Sequence, residues 1–197
     1  RAVSESLDAT VGWDEKTQTA GIYSREKTHS LTLGICTVTI GQTYDSFVAL
    51  YGLPTYSVSA ENGLLWHVYA NPNAFLAIAS DGGIICAYYT NTPGFSNSEG
   101  LQYGAAAPAD GRQYEYVHTE HVNLHKYYDT IEKQLCAVYA AADGYYNLHD
   151  INTALAGGAR MGLDILNAFR AANHLPALTW DDAAAACSLD HAAYMAD

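Results

Sequence analysis

The segment VHTEHVNLHK, residues 117–126, holds the densest set of metal-ligand side chains in this sequence: His118, Glu120, His121 and His125. On a helix, positions 118, 121 and 125 share one face and could ligate zinc, which takes three or four converging nitrogen, sulfur or oxygen ligands. The neighbouring residues argue otherwise. Tyr114, Tyr116, Val122 and Leu124 alternate at period two, the mark of a strand. On one continuous strand His121 and His125 face one side and His118 the other. A solvated strand face is therefore expected. No metal site is predicted, and His118, His121 and His125 remain the sole candidates for one.

Other chemistry has less support. There is no G-x-S-x-G elbow to present a nucleophilic serine. The carboxylate pair Asp181–Asp182 opens a helical stretch, where the helix dipole alone favours acidic residues. Four cysteines stand at positions 36, 86, 136 and 187, with no C-x-x-C pair for zinc or redox work. Cys86 and Cys136 sit inside apolar runs, where cysteine behaves as a small hydrophobe. Two disulfides or four free thiols both fit the sequence, and burial habit favours the thiols. Trp66, Tyr69, Tyr88, Tyr89 and Tyr114 could line a groove for peptide or glycan. Core packing and cross-strand pairing are the favoured account of such aromatics. No catalytic residue and no cofactor-binding residue is assigned, and no cofactor is expected.

Composition narrows the classes. The chain has 197 residues, of which 49% are apolar and 15% charged, so it folds around a core. Its 16 tyrosines against 4 phenylalanines suit sheets half exposed to water. A formal net charge of −12 argues against nucleic acid and against anionic membrane surfaces as partners. No apolar run reaches the roughly 20 residues needed to span a bilayer. The sequence does not begin with Met, and both ends read as cut from a longer chain.

The elements that must carry these residues are mainly strands. A short helical pattern at Ala2–Leu7 leads into strands at Thr10–Trp13 and Thr19–Tyr23. Strands at Ser30–Leu33 and Ile35–Ile40 follow. A helix over Tyr44–Tyr51 ends at Gly52, with Pro54 beyond it. Residues 63–91 read as three strands turning at Asn71–Asn73 and Asp81–Gly83. Residues 94–111 read as loop. Residues 111–144 repeat the earlier layout. Tyr114 and Tyr116 parallel the run Trp66–Tyr69, Asp129 falls where Asp81 does, and Cys136-Ala137-Val138-Tyr139 echoes Cys86-Ala87-Tyr88-Tyr89. This is the pattern of an internal duplication of two β-meanders. From about residue 150 the chain turns helical. Asp150 or Asn152 is the candidate cap of a helix running towards Asn173 with Ile165, Leu166 and Phe169 on its apolar side. After His174-Leu175-Pro176 a second helix places Ala184, Cys187, His191 and Met195 on one face, with Thr179 and Asp182 at capping-box spacing. The fold class expected is α+β, mainly antiparallel meanders with a short helix, followed by a helical C-terminal segment.

Three stretches resemble known families. Asn167, Arg170, Leu175, Pro176, Leu178, Trp180, His191, Met195 and Ala196 stand at the spacing N-x-x-R-x-x-x-x-L-P-x-L-x-W followed by H-x-x-x-M-A. This resembles the start of the CAP superfamily (cysteine-rich secretory protein, antigen 5, pathogenesis-related 1), also called SCP-like. Residues 35–150 resemble the CAP-associated domain that precedes CAP domains in some Gram-positive secreted proteins. The residues that carry this are Ile40-Gly41-Gln42-Thr43, Tyr51-Gly52-Leu53-Pro54, Trp66–Tyr69 and Tyr89-Thr90-Asn91. Residues 1–34, through Arg1-Ala2-Val3, Trp13-Asp14 and Thr17, are similar to the tail of the stalk domain named after copper amine oxidases, and carry no copper chemistry. The resemblance implies three parts: 1–34 a partial stalk, 35–150 a CAP-associated β-rich domain, and 151–197 the first helices of a truncated CAP domain.

The family's cavity of two histidines and two glutamates, which in some members holds zinc, lies beyond the second helix. His191 matches the helix motif and not a cavity histidine, so the tetrad maps onto no residue here. The function implied is a non-catalytic extracellular or cell-wall-associated module, scaffolding the CAP domain at the cell envelope. Its partners would be the rest of the CAP domain or another envelope protein, with a homodimer through the C-terminal helices as a further expectation. Two alternatives remain. One is a secreted hydrolase whose cavity lies past residue 197. The other is a sensor that binds peptide or glycan in an aromatic groove of the sheet.

Overall fold

A computed structural model describes residues 9–14, 19–24, 29–59, 64–71, 74–119, 122–144 and 155–196. The expected helix at Ala2–Leu7 lies outside them. Twelve strands and three helices occur among the described residues. β1 (Ala9–Asp14) and β2 (Thr19–Ser24) form an antiparallel hairpin. β3 (Ser30–Leu33) and β4 (Cys36–Thr39) form another, and helix α1 (Tyr44–Tyr51) follows. Thr43 caps α1 by accepting from the Ser46 amide at 3.3 Å. Gly52 ends it with φ 86°.

β5 (Tyr56–Ser59), β6 (Leu65–Asn71), β7 (Ala74–Asp81) and β8 (Ile84–Thr90) then run as a meander. β9 (Phe95–Asn97) crosses back to pair with β3. β10 (Tyr114–His118), β11 (Val122–Tyr128) and β12 (Leu135–Ala142) form the second meander. The chain closes with α2 (Leu155–Ala172) and α3 (Asp182–Ala196).

The seven-stranded sheet has the order β10-β11-β12-β8-β7-β6-β5, and a three-stranded sheet has the order β4-β3-β9. All pairings are antiparallel. The fold is therefore α+β, as the alternation in the sequence implied. The central strands β7 and β8 are buried on both faces, which explains why they read as nearly continuous apolar runs. On one face Ile78, Ile85, Tyr88, Leu124, Leu135 and Val138 meet Leu31, Val38 and Phe95 of the small sheet and Phe47 of α1. On the other, Trp66, Val68, Phe75, Ala77, Ala79 and Ala87 meet Met161, Ile165 and Ala168 of α2.

The duplication is present in the hydrogen bonds. Both meanders bulge at the same place: the β7–β8 register slips between Ala79 and Ser80, and the β11–β12 register between Tyr127 and Tyr128. Cys86 and Cys136 are the extra residues, and their thiols reach Ala79 O and Tyr127 O. The approach to each meander is repeated too. Gly41 N donates to Ile85 O at 2.8 Å as Gly104 N does to Leu135 O at 2.9 Å, and Tyr44 N to Gly83 O as Ala107 N does to Lys133 O, both at 2.8 Å. The hairpin bond Ile40 N to His29 O recurs as Tyr103 N to Phe95 O. The axis relating the halves passes through the β8–β12 pair Tyr89–Tyr139 and the β3–β9 pair Leu31–Asn97.

One reading of the sequence is corrected here. Residues 94–111 hold β9, because Phe95 is 1% exposed in the core and β9 pairs with β3, although Gly94 precedes it. β5 carries no turn or length signal of its own, and its strand state comes from pairing with β6. All four cysteines are free.

Gly83 and Lys133 occupy equivalent turns with φ 76° and 54°. Nothing lies within 4 Å of a Cβ added at Gly83, so a substitution there costs conformational energy alone. Gly83→Ala should lower unfolding free energy by about 1 kcal/mol and Lys133→Gly should raise it by up to about 1 kcal/mol. Urea denaturation of both variants checks this.

Candidate functional site

The helix–sheet junction joins α2 to the large sheet through both close backbone approach and polar bonds. Alternate positions on β7 and β8 carry Ala77, Ala79 and Ala87, which flatten the sheet so that a helix backbone can approach. α2 meets it with its own small residues. Ala168 is 3% exposed. A Cβ on Gly157 would stand 2.6 Å from Ser59 O and 3.0 Å from Val58 Cβ. Around this close contact the polar groups are matched. Tyr56 donates to Asp164 Oδ2 at 2.5 Å, and the Arg160 guanidinium lies 4.0 Å over the Tyr56 ring. Burial and then the Asp164 carboxylate push the Tyr56 hydroxyl pKa upward, so it stays a donor. Fully buried Asn91 donates from Nδ2 to Ile165 O at 2.8 Å. Tyr56 and Asp164 did not stand out in the sequence, Asn91 entered only through the run Tyr89-Thr90-Asn91, and Gly157 read only as a residue that weakens the helix. The alanines at i, i+2 spacing were the available signal, since alternating small residues on a buried strand invite close backbone approach.

Beyond this contact the chain is fastened to itself. Asn167 accepts from Leu178 N at 2.7 Å and donates to Leu178 O at 3.0 Å. Arg170 Nε donates to Pro176 O at 2.7 Å, and Leu175 N to Arg170 O at 2.8 Å. Trp180 Nε1 donates to Asp182 Oδ1 at 2.9 Å. The residues that carried the CAP resemblance thus hold one loop shape. The cap of α3 is Asp181, whose Oδ1 accepts from Ala184 N at 2.9 Å, and not Thr179: the helix starts too late for the expected box. The face with Ala184, Cys187, His191 and Met195 is exposed, Met195 at 72%.

His118 and His125 lie on the same face of the large sheet as α2 but on its other half. The expected single strand is a hairpin, so the reversal between β10 and β11 brings His118 and His125 to one face, where the sequence reading had placed them on opposite faces. They do not converge. His125 is 3% exposed, bonds Tyr114 Oη through Nδ1 at 2.7 Å, and packs its ring against Tyr116 and Tyr139. His118 Nδ1 lies 3.1 Å from Asn123 Oδ1 and 3.7 Å from Asp143 Oδ1. His121 lies outside the described residues. Among the described residues no three His, Cys, Asp or Glu side chains are grouped to hold a metal ion.

The five aromatics proposed for a groove are divided between the faces. Tyr69 and Tyr88 belong to the core under the small sheet. Trp66 and Tyr89 belong to the core near α2, and Tyr114 is 45% exposed.

His67, which the sequence reading carried only within the run Trp66–Tyr69 and not as a site, is the better organised histidine. His67 is 5% exposed, stacks on Tyr44 with ring centroids 3.7 Å apart, and lies between Ser57 Oγ and Ser80 Oγ at 2.9 Å from each. No carboxylate orients it. The equivalent place in the second half is held by Glu115 with Tyr128, 3.0 Å apart. A polar tie between strands fits both halves.

Comparison with known proteins gives the following. The model of the "Cysteine-rich secretory protein family" (CAP) matches residues 163–197. An extracellular protein containing a SCP domain from Bacillus anthracis has a similar structure, with TM-score 0.56 and 13% identity over 72% of this chain and 61% of that one. A cysteine-rich secretory protein from Staphylococcus aureus is similar at TM-score 0.53 and 12% identity over 71% of this chain and 62% of that one. The chain thus spans about three fifths of these structures, and at such identity the likeness shows a shared fold. No curated protein sequence matches the chain. No helix among the described residues is long and apolar enough to cross a membrane.

Burial lowers the pKa of His67 and of His125, and burial lowers that of His29 against the opposing pull of Glu99. The unfolded chain then binds more protons than the folded one below the ordinary histidine pKa of about 6.5. Stability should fall as pH drops from 7 towards 5, and His67→Gln should flatten that slope in urea titrations. Asn167→Ala should cost about 1 kcal/mol locally, seen as about fivefold or more faster hydrogen exchange at the Leu178 amide.

Proposed function

We propose that this chain is a non-catalytic extracellular module that mounts a CAP domain on a rigid β-domain at the bacterial cell envelope. One observation carries the reading. α2 begins at Leu155, before the family match, and runs through Leu163, where the match starts. The same helix is seated on the large sheet by Ala168, Gly157, Asn91 and the Tyr56–Asp164 bond. A helix shared in this way leaves no flexible linker at the border. The orientation of whatever is built on α2 is set by the sheet.

A border that falls within α2, at Leu163, distinguishes this arrangement from ordinary domain neighbours, which move relative to each other across small polar contacts. The extracellular location is supported by the two similar structures, one described as extracellular and one as secretory. The envelope of a Gram-positive organism is part of the same proposal, as is the absence of catalysis in this chain.

Gly157→Val and Ala168→Glu test the mount. Each should raise hydrogen exchange of the α2 amides by about tenfold or more while the β7 and β8 amides keep their protection. Small-angle scattering should show the helical part sampling more orientations. Unchanged α2 protection in both variants would contradict the reading.

A further inference from the structure

Among the described residues, the duplication leaves one place filled in the first half and open in the second. β6 and β10 are counterparts: Trp66 pairs with Ala79 as Tyr114 pairs with Tyr127, and Val68 pairs with Ala77 as Tyr116 pairs with His125. β6 is flanked by β5, which sets Tyr56 opposite Val68 and Val58 opposite Trp66. Among the described residues no strand lies beyond β10, and the seven-stranded sheet ends there.

The direction of the β10 backbone follows from its bonds. Tyr128 N donates to Gln113 O at 2.8 Å, and Thr119 N donates to Val122 O at 3.0 Å. An antiparallel ladder alternates, so residues 113, 115, 117 and 119 bond to β11. The amides and carbonyls of Tyr116 and His118 therefore point to the outer edge. Tyr116 is 49% exposed. Three guards of an edge strand are missing from β10: it has no proline, its register with β11 has no bulge, and its one acidic side chain, Glu115, is engaged by Lys126 and Tyr128.

We infer that the outer edge of β10 takes an extended segment of another protein as an added antiparallel strand, in the place that β5 holds in the first half. Main-chain bonding to Tyr116 and His118 supplies the attachment. β5 gives the template for the side chains. Its Tyr56 and Val58 lie on the α2 face, with Ser57 and Ser59 between them. The partner strand accordingly carries aromatic or β-branched residues at alternate positions and small hydroxyl residues between. The net charge of −12 favours a neutral or basic segment and opposes a second copy of this chain. The inference stands on strand pairing and is independent of the mounting role.

The probe is the peptide LPTYSVSA, the sequence of β5 with its flanks. Added at millimolar concentration to the 15N-labelled chain, it should shift the Tyr116 and His118 amides saturably and slow their exchange about tenfold or more. N-methylation of the peptide at alternate residues separates strand pairing from side-chain adhesion without altering the protein. One alternate set should weaken binding by about tenfold or more, and the other by less than about threefold. Equal effects of the two sets, or no response at Tyr116 and His118, would overturn the inference. So would protection of those amides before peptide is added, at every protein concentration, which would place a segment of this chain on the edge. Protection that grows with protein concentration in parallel with dimer in sedimentation would assign the edge to a second copy, and equally overturn it.

Discussion

The pairing of β8 with β12 holds the molecule together. Each is the last strand of a meander, and they meet side by side with Tyr89 opposite Tyr139. Without that ladder each meander would be a small sheet with a bare edge and a core too thin to stand alone. With it, a seven-stranded sheet forms, wide enough to carry layers on both faces. The small sheet adds a second crossing of the same axis through Leu31 and Asn97. The two contacts join the halves above and below one buried cluster, which Tyr88, Phe95 and Leu31 share.

Divergence between the halves is what gives the domain distinct surfaces. Where the first half has Ala77 and Ala79, the second has His125 and Tyr127. The alanines admit α2 closely, and the loss of one methyl's width decides it: a Cβ at Gly157 would already collide with Ser59 O. The bulky rings of the second half fill that depth with side chains bonded to each other, as Tyr114 to His125 and Tyr116 to Asn123. A helix could not lie as near there. The same duplication, with different side-chain volumes, thus makes one helix seat and one hydrogen-bonded aromatic face.

Much of this was legible in the sequence. Period-two alternation marked most strands, Gly52 and Pro54 marked the end of α1, and the matching Cys-Ala-x-Tyr runs marked the repeat. The repeat was readable because the bulge needs a small buried side chain at one position in each half, and Cys86 and Cys136 meet that need. β5 and β9 escaped notice because four- and three-residue strands have too few alternations to register and owe their state to neighbours. The histidine segment misled for a related reason. β10 and β11 are two antiparallel strands and not one, and that reversal puts His118 on the face of His125.

By itself the sequence determined the fold class, the duplication and most of the helices and strands, because these depend on local period, turn chemistry and residue type. Tertiary structure alone decided which faces are covered. Asn91 and Ile165 are far apart in the chain, and so are Tyr56 and Asp164, and nothing local announces that they bond. Whether a tyrosine is core, seat or surface depends on what packs over it, and that is a property of the assembled layers: Tyr88 is sealed under the small sheet while its neighbour Tyr89 turns to the α2 face.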